Sequence, residues 1–334
     1  MATTPLTVLD LVPISSGSTA AQALRNSIDL AQTAERLGYT RYWFAEHHLN
    51  PGVAGTSPAV VLALTAAATS TIRIGSGAVQ MGHRTALSAV EEFGLIDALH
   101  PGRLDLGLGR SGGRPRQAEP ALVGAPRAEG GQAPNGLLIP PRFSFEHLLG
   151  SPRFQLTKTL LQLPGAQSQD YGDQVDDVLA LLRGTYRSAD GVEAHVIPGE
   201  GADVQVWILG SSGGQSAEVA GSNGLRFAAN YHVSPATVIE AAQGYRAAFQ
   251  PSAELRRPYV SVSADVVVAQ DKATARELAT GYGLWVRSIR SGEGAIAFPT
   301  PEQARAHTWT AADRQLVADR VRSYQLLATE WQRR

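Results

Sequence analysis

The chain contains no cysteine among its 334 residues. Without a thiol it can form no disulfide, no cysteine-ligated zinc or iron–sulfur site and no thiolate nucleophile. The N-terminal residues also lack the basic and apolar regions of a signal peptide. We therefore expect a cytoplasmic protein whose chemistry depends on other side chains or on a cofactor.

The sequence likewise lacks an excess of either charge and any long apolar run. Its 29 Lys and Arg residues nearly balance 30 Asp and Glu residues, which leaves a formal net charge of -1. That balance gives no electrostatic attraction toward nucleic acid or an anionic membrane, and we expect neither as a partner. No apolar run approaches the ~20 residues that a transmembrane helix needs. At 334 residues the chain could form one large domain or two ordinary ones, and we expect a single domain over residues 1–334.

Strand-like and helix-like segments alternate along the first 110 residues. The predicted strands are residues 6–12, 39–45, 72–81 and 104–108, and the predicted helices are residues 21–37, 58–70 and 86–99. Helical spacing of apolar residues and a glycine just after residue 37 support the first helix. Consecutive β-then-α units indicate a parallel sheet with right-handed crossovers.

The pattern breaks at residues 111–170, which are rich in Gly, Pro, Arg and Gln, and then resumes. An irregular run of that length is typical of a functional lid. The later predicted strands are residues 204–209, 225–229 and 259–269, and the later predicted helices are residues 171–183, 216–220, 235–249 and 272–290. The sequence thus predicts an α/β fold, a (β/α)8 TIM barrel with a long irregular insertion after strand 4 and a weak or missing eighth unit.

A doubly wound open sheet is the alternative, although the first strand lacks the G-x-G-x-x-G turn of dinucleotide-binding folds. A barrel with a gap would leave two edge strands unpaired. Residues 295–298 are one candidate for an eighth strand, and a partner subunit is a second way to cover the gap. We favour a third, that residues are missing from the numbered chain between Asp313 and Tyr324.

An acid and two histidines, Glu46-His47-His48, follow the second predicted strand. Ligands bind at the carboxyl ends of strands in parallel barrels, and histidine exchanges protons near neutral pH. The alternative is a pair of solvated loop histidines. Adjacent residues at a strand end point to opposite sides, so we expect no metal site there. We expect the histidine at position 83 in a solvated loop.

Two further strand ends have the composition of a phosphate site. Glycines after the fourth strand allow close backbone approach, and the arginine among them can bind phosphate in bidentate fashion. The fifth strand runs through glycine and serine into a helix, whose first amides attract anions. The candidate contacts are Arg110, Gly210, Ser211 and Ser212. At the end of the sixth strand, Tyr231 is the aromatic residue expected to face a ligand, whereas His232 faces either the pocket or solvent.

The chain resembles the bacterial luciferase-like flavin monooxygenase family, with its single-chain oxidoreductases as the nearest subgroup. The segments that carry the resemblance are residues 45–48, 74–78, 95–110 and 207–214. The resemblance implies a barrel that binds reduced FMN at the carboxyl face of its strands. Oxygen would add at the flavin C4a to give a hydroperoxide, which would oxygenate a small organic substrate of the aldehyde or ketone class.

The resemblance also implies roles for individual residues. His47 corresponds to the family's histidine beside the reactive flavin edge, and both Arg110 and Ser211 to residues that bind the flavin phosphate. Gly77 and Ala78 correspond to a pair joined by a cis peptide under the isoalloxazine ring, and Tyr231 to an aromatic residue near it. Gly109 stands where light-emitting members carry a cysteine.

The implied enzyme is a two-component monooxygenase that receives FMNH2 from a separate flavin reductase, because the sequence shows no nicotinamide motif. We expect a homodimer. Two alternatives stay open from the sequence. One is an oxidoreductase on the same fold that transfers hydride with the deazaflavin F420, and the other is a flavin-binding protein without turnover.

Overall fold

The computed structural model describes residues 4–110, 130–144 and 146–317. The strands are Thr7–Asp10 (β1), Arg41–Phe44 (β2), Arg73–Ser76 (β3), Val79–Gln80 (β4), Leu104–Gly109 (β5), Gly131–Gln132 (β6), Leu138–Ile139 (β7), Val204–Gly210 (β8), Arg226–Asn230 (β9) and Val260–Ser263 (β10). The α-helices are Ala20–Arg36 (α1), Pro58–Ala68 (α2), Ala86–Leu99 (α3), Glu146–Leu149 (α4), Pro152–Leu161 (α5), Tyr171–Leu182 (α6), Gln215–Ser222 (α7), Val238–Ala248 (α8), Lys272–Leu278 (α9), Tyr282–Arg290 (α10) and Pro301–Ala306 (α11). Among the described helices, none combines the length and apolar character that crossing a bilayer requires.

The main sheet is parallel and follows the order β1-β2-β3-β5-β8-β9-β10, with β4 paired to β5. This arrangement is a nearly closed barrel, which confirms the predicted fold. Residues 295–298 contact the segment that follows β1. Phe298 makes one parallel bridge with Ser15, and its amide donates to the Ile14 carbonyl at 2.8 Å. The candidate eighth strand is therefore a single bridge.

The chain break predicted between Asp313 and Tyr324 lies largely outside the described residues, which end at 317.

Alternation along the strands divides the core into an outer and an inner layer. Tyr42 and Phe44 point outward and join the large core between strands and helices. Trp43 points inward and packs with Trp207 at a ring separation of 4.9 Å in a separate cluster. The position beside Trp43 on β3 is Gly75, where a Cβ atom would lie 2.4 Å from the Asp105 carbonyl. The large indoles thus fill space that small neighbours leave.

A buried ionic network closes the barrel at the amino ends of the strands. Asp105 is fully buried and accepts hydrogen bonds from Arg41, from Arg73 Nε at 2.9 Å and from Trp43 Nε1 at 2.8 Å. Arg41 also donates to Gln205 at 2.9 Å. These polar groups form hydrogen bonds with one another, so the amino end of the barrel is closed. The carboxyl end stays available for a ligand.

The prediction of an irregular insertion was wrong for the described residues 130–170. They contain the antiparallel hairpin β6–β7 and helices α4 and α5. Pro134 and Asn135 are the central residues of the hairpin turn, whose last residue, Gly136, has a φ of 84° and donates its amide to the Ala133 carbonyl at 2.8 Å. Ser151 caps α5 through the Phe154 amide, and Pro152 follows the cap. Both are local signals that the composition of the segment obscured. Residues 111–129 lie outside the described part of the chain.

The long helix predicted over residues 272–290 is two helices, α9 and α10. A Cβ atom at Gly281, which lies between them, would come within 2.4 Å of the Pro299 carbonyl oxygen. The backbone of the following segment approaches at the break, and this close contact requires glycine. The break lets α10 turn one face toward the carboxyl end of the barrel. The seventh predicted strand is also shorter than expected, at Val260–Ser263.

Replacing Asp105 with alanine should destabilise the protein by about 3–5 kcal/mol, because two partly buried arginines would lose their fully buried carboxylate. Urea unfolding followed by circular dichroism measures this change. Glu193→Ala is the matched control, since Glu193 pairs with Arg187 through exposed side chains and should change stability by less than about 1 kcal/mol. Equal losses of stability in the two variants would contradict a stabilising role for the Asp105 network.

Candidate active site

A cavity of about 820 Å³ opens at the carboxyl ends of the barrel strands. It brings together seven of the residues predicted from the sequence: His47, Gly77, Ala78, Arg110, Gly210, Ser211 and Ser212. These come from the segments that follow β2, β3, β5 and β8. The predicted strand ends therefore converge on one site, as a parallel barrel requires.

Tyr231 does not line this cavity. Its hydroxyl donates to the Leu138 carbonyl at 2.8 Å and so ties the end of β9 to the hairpin. The next residue, His232, lines the cavity instead, with Nδ1 2.5 Å from the Ser263 hydroxyl. The predicted contact between Tyr231 and a flavin ring stays a prediction.

Glu46 is the anchor of the site. It is 2% exposed, and its Oε1 contacts His48 Nε2 at 2.9 Å and His83 Nε2 at 3.1 Å. The Gln80 amide donates to Oε2 at 2.9 Å, and the Gln80 side chain donates back to the Glu46 carbonyl at 2.6 Å. The expectation that His83 lies in a solvated loop was wrong, because the fold brings its loop against this buried carboxylate.

The electrostatics of Glu46 favour an anion. Burial alone would raise its pKa, but hydrogen bonds from His83, Gln80 and His48, with the charge of Arg84, lower the pKa of Glu46 to about 2. Glu46, His48 and His83 place ligand atoms within 4.8 Å of one another, a spacing that a metal ion could use. Arg84 Nε lies 3.4 Å from the same carboxylate oxygen, however, and a cation there would meet its charge. We interpret the group as a hydrogen-bonded anchor.

His47 presents a polar atom that the described residues leave unsatisfied. Its backbone amide donates to the Gly55 carbonyl at 2.8 Å, whereas its buried ring Nδ1 has no hydrogen-bond partner. Burial, followed by the nearby charges of His232 and His48, lowers the pKa of His47 to about 4. The ring is thus neutral at pH 7 and can accept a proton.

The cavity wall formed by the ends of β5 and β8 carries groups that can donate hydrogen bonds to an anion. Arg110 lies 3.4 Å from Gln215 Oε1, and helix α7 starts at Gln215 without a side-chain cap. Thr237 donates to the Ser211 carbonyl and fixes the loop before that helix. Guanidinium, serine hydroxyls and first-turn amides together form a donor set suited to a phosphate group.

Gly77 and Ala78 form the floor between these two walls, with Leu9 and Leu209 also lining the cavity. The peptide between Gly77 and Ala78 is cis, as the sequence analysis expected. At Gly210 a Cβ atom would point toward the outer core, 2.8 Å from the Phe227 ring, so a larger residue would displace the strand end. A flat ring with a phosphate tail, such as FMN, fits this combination of a glycine floor, phosphate donors and an unsatisfied histidine.

The wall that helix α10 forms was not predicted from the sequence. Tyr282, Trp285, Val286, Ile289 and Arg290 all line the cavity. Their spacing of three, four, seven and eight residues from the first places them on one helical face. That periodicity is visible in the sequence, but only the fold shows that the face meets the cavity.

Comparisons with known proteins agree with this arrangement. A family described as luciferase-like monooxygenase matches residues 4–129 and 173–332. A luciferase-like monooxygenase of Escherichia coli strain K12 is 32% identical over 313 residues, which cover 93% of this chain and 80% of that protein. The unmatched residues between the two blocks include the β6–β7 hairpin, α4 and α5.

Two other proteins are similar to this chain, one over part of its sequence and one over almost all of its structure. An N-acetyl-S-alkylcysteine monooxygenase of Bacillus subtilis strain 168 is 46% identical over 108 residues, or 32% of each chain. The crystal structure of apo-MsnO8 superposes with a TM-score of 0.70 at 26% identity, and the match covers 97% of this chain and 96% of that one.

The low pKa of His47 should be visible by nuclear magnetic resonance. We expect its ring signals to titrate near pH 4, against 6.5 for an unperturbed histidine.

The unfolded chain binds this proton at higher pH than the folded chain. The contribution of His47 to the free energy of unfolding is therefore lost as pH falls from 6.5 toward 4. Substituting glutamine for His232 should raise the midpoint. A His47 midpoint near 6.5 would show that the ring is solvated.

Proposed function

Because the chain belongs to the luciferase-like monooxygenase family, an oxygen-incorporating class of oxidoreductase, we propose that it is an FMNH2-dependent monooxygenase. Reduced FMN, when bound, supplies two electrons and activates dioxygen. One oxygen atom enters the substrate and the other leaves as water. A separate flavin reductase supplies the reduced flavin, and the enzyme acts in the cytoplasm as a homodimer.

The observation that carries this proposal is the coincidence of two chemistries in one cavity. Arg110 and Ser211 offer phosphate donors at one wall, and His47 offers a buried unsatisfied nitrogen at the other. The Gly77–Ala78 floor lies between them. A neutral His47 accepts a proton from a reacting group and can return it to a departing oxygen. The buried surroundings that keep it neutral also exclude water from the reaction.

The proposed substrates are small organic molecules of the aldehyde or ketone class. A thioether is the second candidate, because the Bacillus relative that shares 46% identity over part of the chain is described as acting on an N-acetyl-S-alkylcysteine. In both cases dioxygen supplies the oxygen atom, and the substrate supplies the bond or lone pair that receives it.

The direct test is a single turnover. Photoreduced FMN is bound to the protein without oxygen and then mixed with ¹⁸O₂ and octanal, cyclohexanone or benzyl methyl sulfide. Mass spectrometry should find one ¹⁸O atom in the product of at least one of them. Unlabelled products throughout, with release of hydrogen peroxide alone, would support a flavin-binding protein without turnover. Hydride transfer from reduced F420 but not from FMNH2 would support the deazaflavin alternative.

Arg110→Ala should weaken FMN binding by about 2–3 kcal/mol, the magnitude of hydrogen bonds to a charged group. Fluorescence titration of the apo-protein measures this loss. Riboflavin is the matched ligand, because it lacks the phosphate, and its affinity should not change.

Ser211→Ala removes one neutral donor and should weaken FMN binding by about 1 kcal/mol.

If Arg110→Ala weakened the binding of FMN and of riboflavin equally, the flavin phosphate would bind elsewhere.

His47→Ala should retain FMN affinity but lower the rate constant of product formation in a single turnover by a factor of about 10²–10⁴, as for other general acid–base groups. His48→Ala is the neighbouring control. Its ring contacts Glu46 rather than presenting an unsatisfied atom, so the loss should be smaller. Unchanged product formation by His47→Ala would remove His47 from the mechanism.

A further inference from the structure

The insertion between β5 and α6 is tied to segments that surround the carboxyl end of the barrel. His147 on α4 contacts the Arg290 carbonyl through Nε2 at 2.8 Å, at the end of the α10 wall. Gln162, just after α5, donates to the Gly82 carbonyl at 2.8 Å in the turn after β4. Tyr231 adds the contact with the β6–β7 hairpin. The described part of the insertion therefore lies against the rim of the cavity.

Arg153 on α5 binds two rim segments that are far apart in sequence. Its guanidinium donates to the Leu49 carbonyl and to the Glu293 carbonyl, and its Nη2 also lies 3.4 Å from Asn50 Oδ1. The first segment continues from β2 and carries His47, whereas the second continues from α10. A planar guanidinium can bridge two acceptors in this way because its donors form a fixed fork.

Asn50 joins the same two rim segments. Its Oδ1 accepts a hydrogen bond from the Ala295 amide at 2.9 Å, and its Nδ2 donates to the His48 carbonyl at 3.0 Å. The Gly52 amide donates to the Ala295 carbonyl at 2.8 Å. Asn50 and Ala295 both line the cavity. The junction of the two segments is therefore part of the cavity wall, three residues along the chain from His47.

The backbone at this junction leaves room for the Arg153 side chain. Gly294 has a φ of 79°, and a Cβ atom there would collide with the Arg153 guanidinium. Leu49 also has a positive φ, of 53°, which is uncommon for a residue with a side chain. Such a conformation persists only where the surroundings enforce it. The guanidinium that binds the Leu49 carbonyl is one such constraint.

We propose that Arg153 is a positioning residue that clamps the rim of the cavity while oxygen is transferred. It holds the loop of His47 against the segment after α10, and so keeps water away from the histidine and the reacting groups. This role rests on the monooxygenase function proposed above. Arg153 stands outside the set of described residues that line the cavity, so it acts through Leu49 and Asn50.

The clamp depends on the shape of the guanidinium rather than on its charge alone. The nearby carboxylate of Glu293 pairs with Arg287. The acceptors of Arg153 are two main-chain carbonyls and one amide oxygen. A lysine ammonium has the same charge but no planar fork that spans two segments. Arg153→Lys should therefore lose most of what Arg153→Ala loses.

The first test measures amide hydrogen exchange by nuclear magnetic resonance in the protein without ligand. The amides of Gly52 and Ala295 form hydrogen bonds across the junction and report whether it is closed. In Arg153→Ala both should exchange at least about tenfold faster, the factor expected from losing a hydrogen bond to a charged group. The Ile74 amide, bonded to the Arg103 carbonyl, should exchange as in the parent, which excludes global unfolding.

Two further variants locate the effect. Gly294→Ala places a methyl group against the guanidinium and should open the junction in the same way. Lys158→Ala is the matched control, because it removes an exposed positive charge from the same helix. No hydrogen bond joins Lys158 to the rim among the residues that the structure describes, so exchange at Gly52 and Ala295 should stay as in the parent.

The second test follows the fate of oxygen in the single turnover with ¹⁸O₂. The flavin phosphate is assigned to the wall of Arg110, so Arg153→Ala should leave FMN affinity nearly unchanged. Several-fold less ¹⁸O should reach the product, and more hydrogen peroxide should be released, because water reaches the reacting groups. A variant that was merely less stable would lose FMN affinity and product together.

Unchanged exchange at Gly52 and Ala295 in Arg153→Ala would overturn the clamp, and so would faster exchange with an unchanged yield of labelled product. Full activity of Arg153→Lys would show that charge alone suffices and would also overturn it. The two proposals fail separately. A parent protein that released only hydrogen peroxide would overturn the monooxygenase function, while the exchange experiment would still decide whether Arg153 holds the rim.

Discussion

Glu46 holds the candidate site together through a single buried carboxylate. Its hydrogen bonds to His48 and His83 fix the loop after β2 against the turn that follows β4. Its two bonds with Gln80 hold β4, which pairs with β5. The end of β5 carries Arg110. One anion therefore sets the spacing between His47, the Gly77–Ala78 floor and the phosphate wall, and buried charge of this kind is stable only because every oxygen is hydrogen-bonded.

The layers inside the barrel explain why the cavity opens at one end only. Asp105 and its arginines close the amino end with a network that needs no ligand. Trp43 and Trp207 fill the middle with rings in edge contact. Above them the inward positions become small at Gly77 and Ala78, and space remains for a flat ring. The change from large to small inward residues thus determines the depth at which a ligand stops.

The sequence predicted the features that depend on neighbours in the chain. Strand ends followed by Gly-Arg or Gly-Ser-Ser are local patterns, and the barrel brought Arg110 and Ser211 into one cavity as expected. The contacts of His83 and the α10 wall depend on loops and helices distant in sequence, so no local pattern identified them. Tyr231 was assigned a ligand contact by resemblance, but a hairpin within the insertion takes its hydroxyl. The insertion itself was misread because a glycine-rich composition concealed the turn at Asn135.

A bound phosphate would change the charge that surrounds His47. In the free protein, burial and the neighbouring histidines hold the pKa of His47 low, and the ring is neutral. A flavin phosphate beside Arg110 would add negative charge to this enclosed space, and nearby anions favour the protonated form of an imidazole. Binding would therefore move the pKa of His47 back toward neutrality. A histidine that is a base before the ligands arrive would then be able to keep a proton long enough to return it, which is what oxygen transfer with release of water requires of the protein.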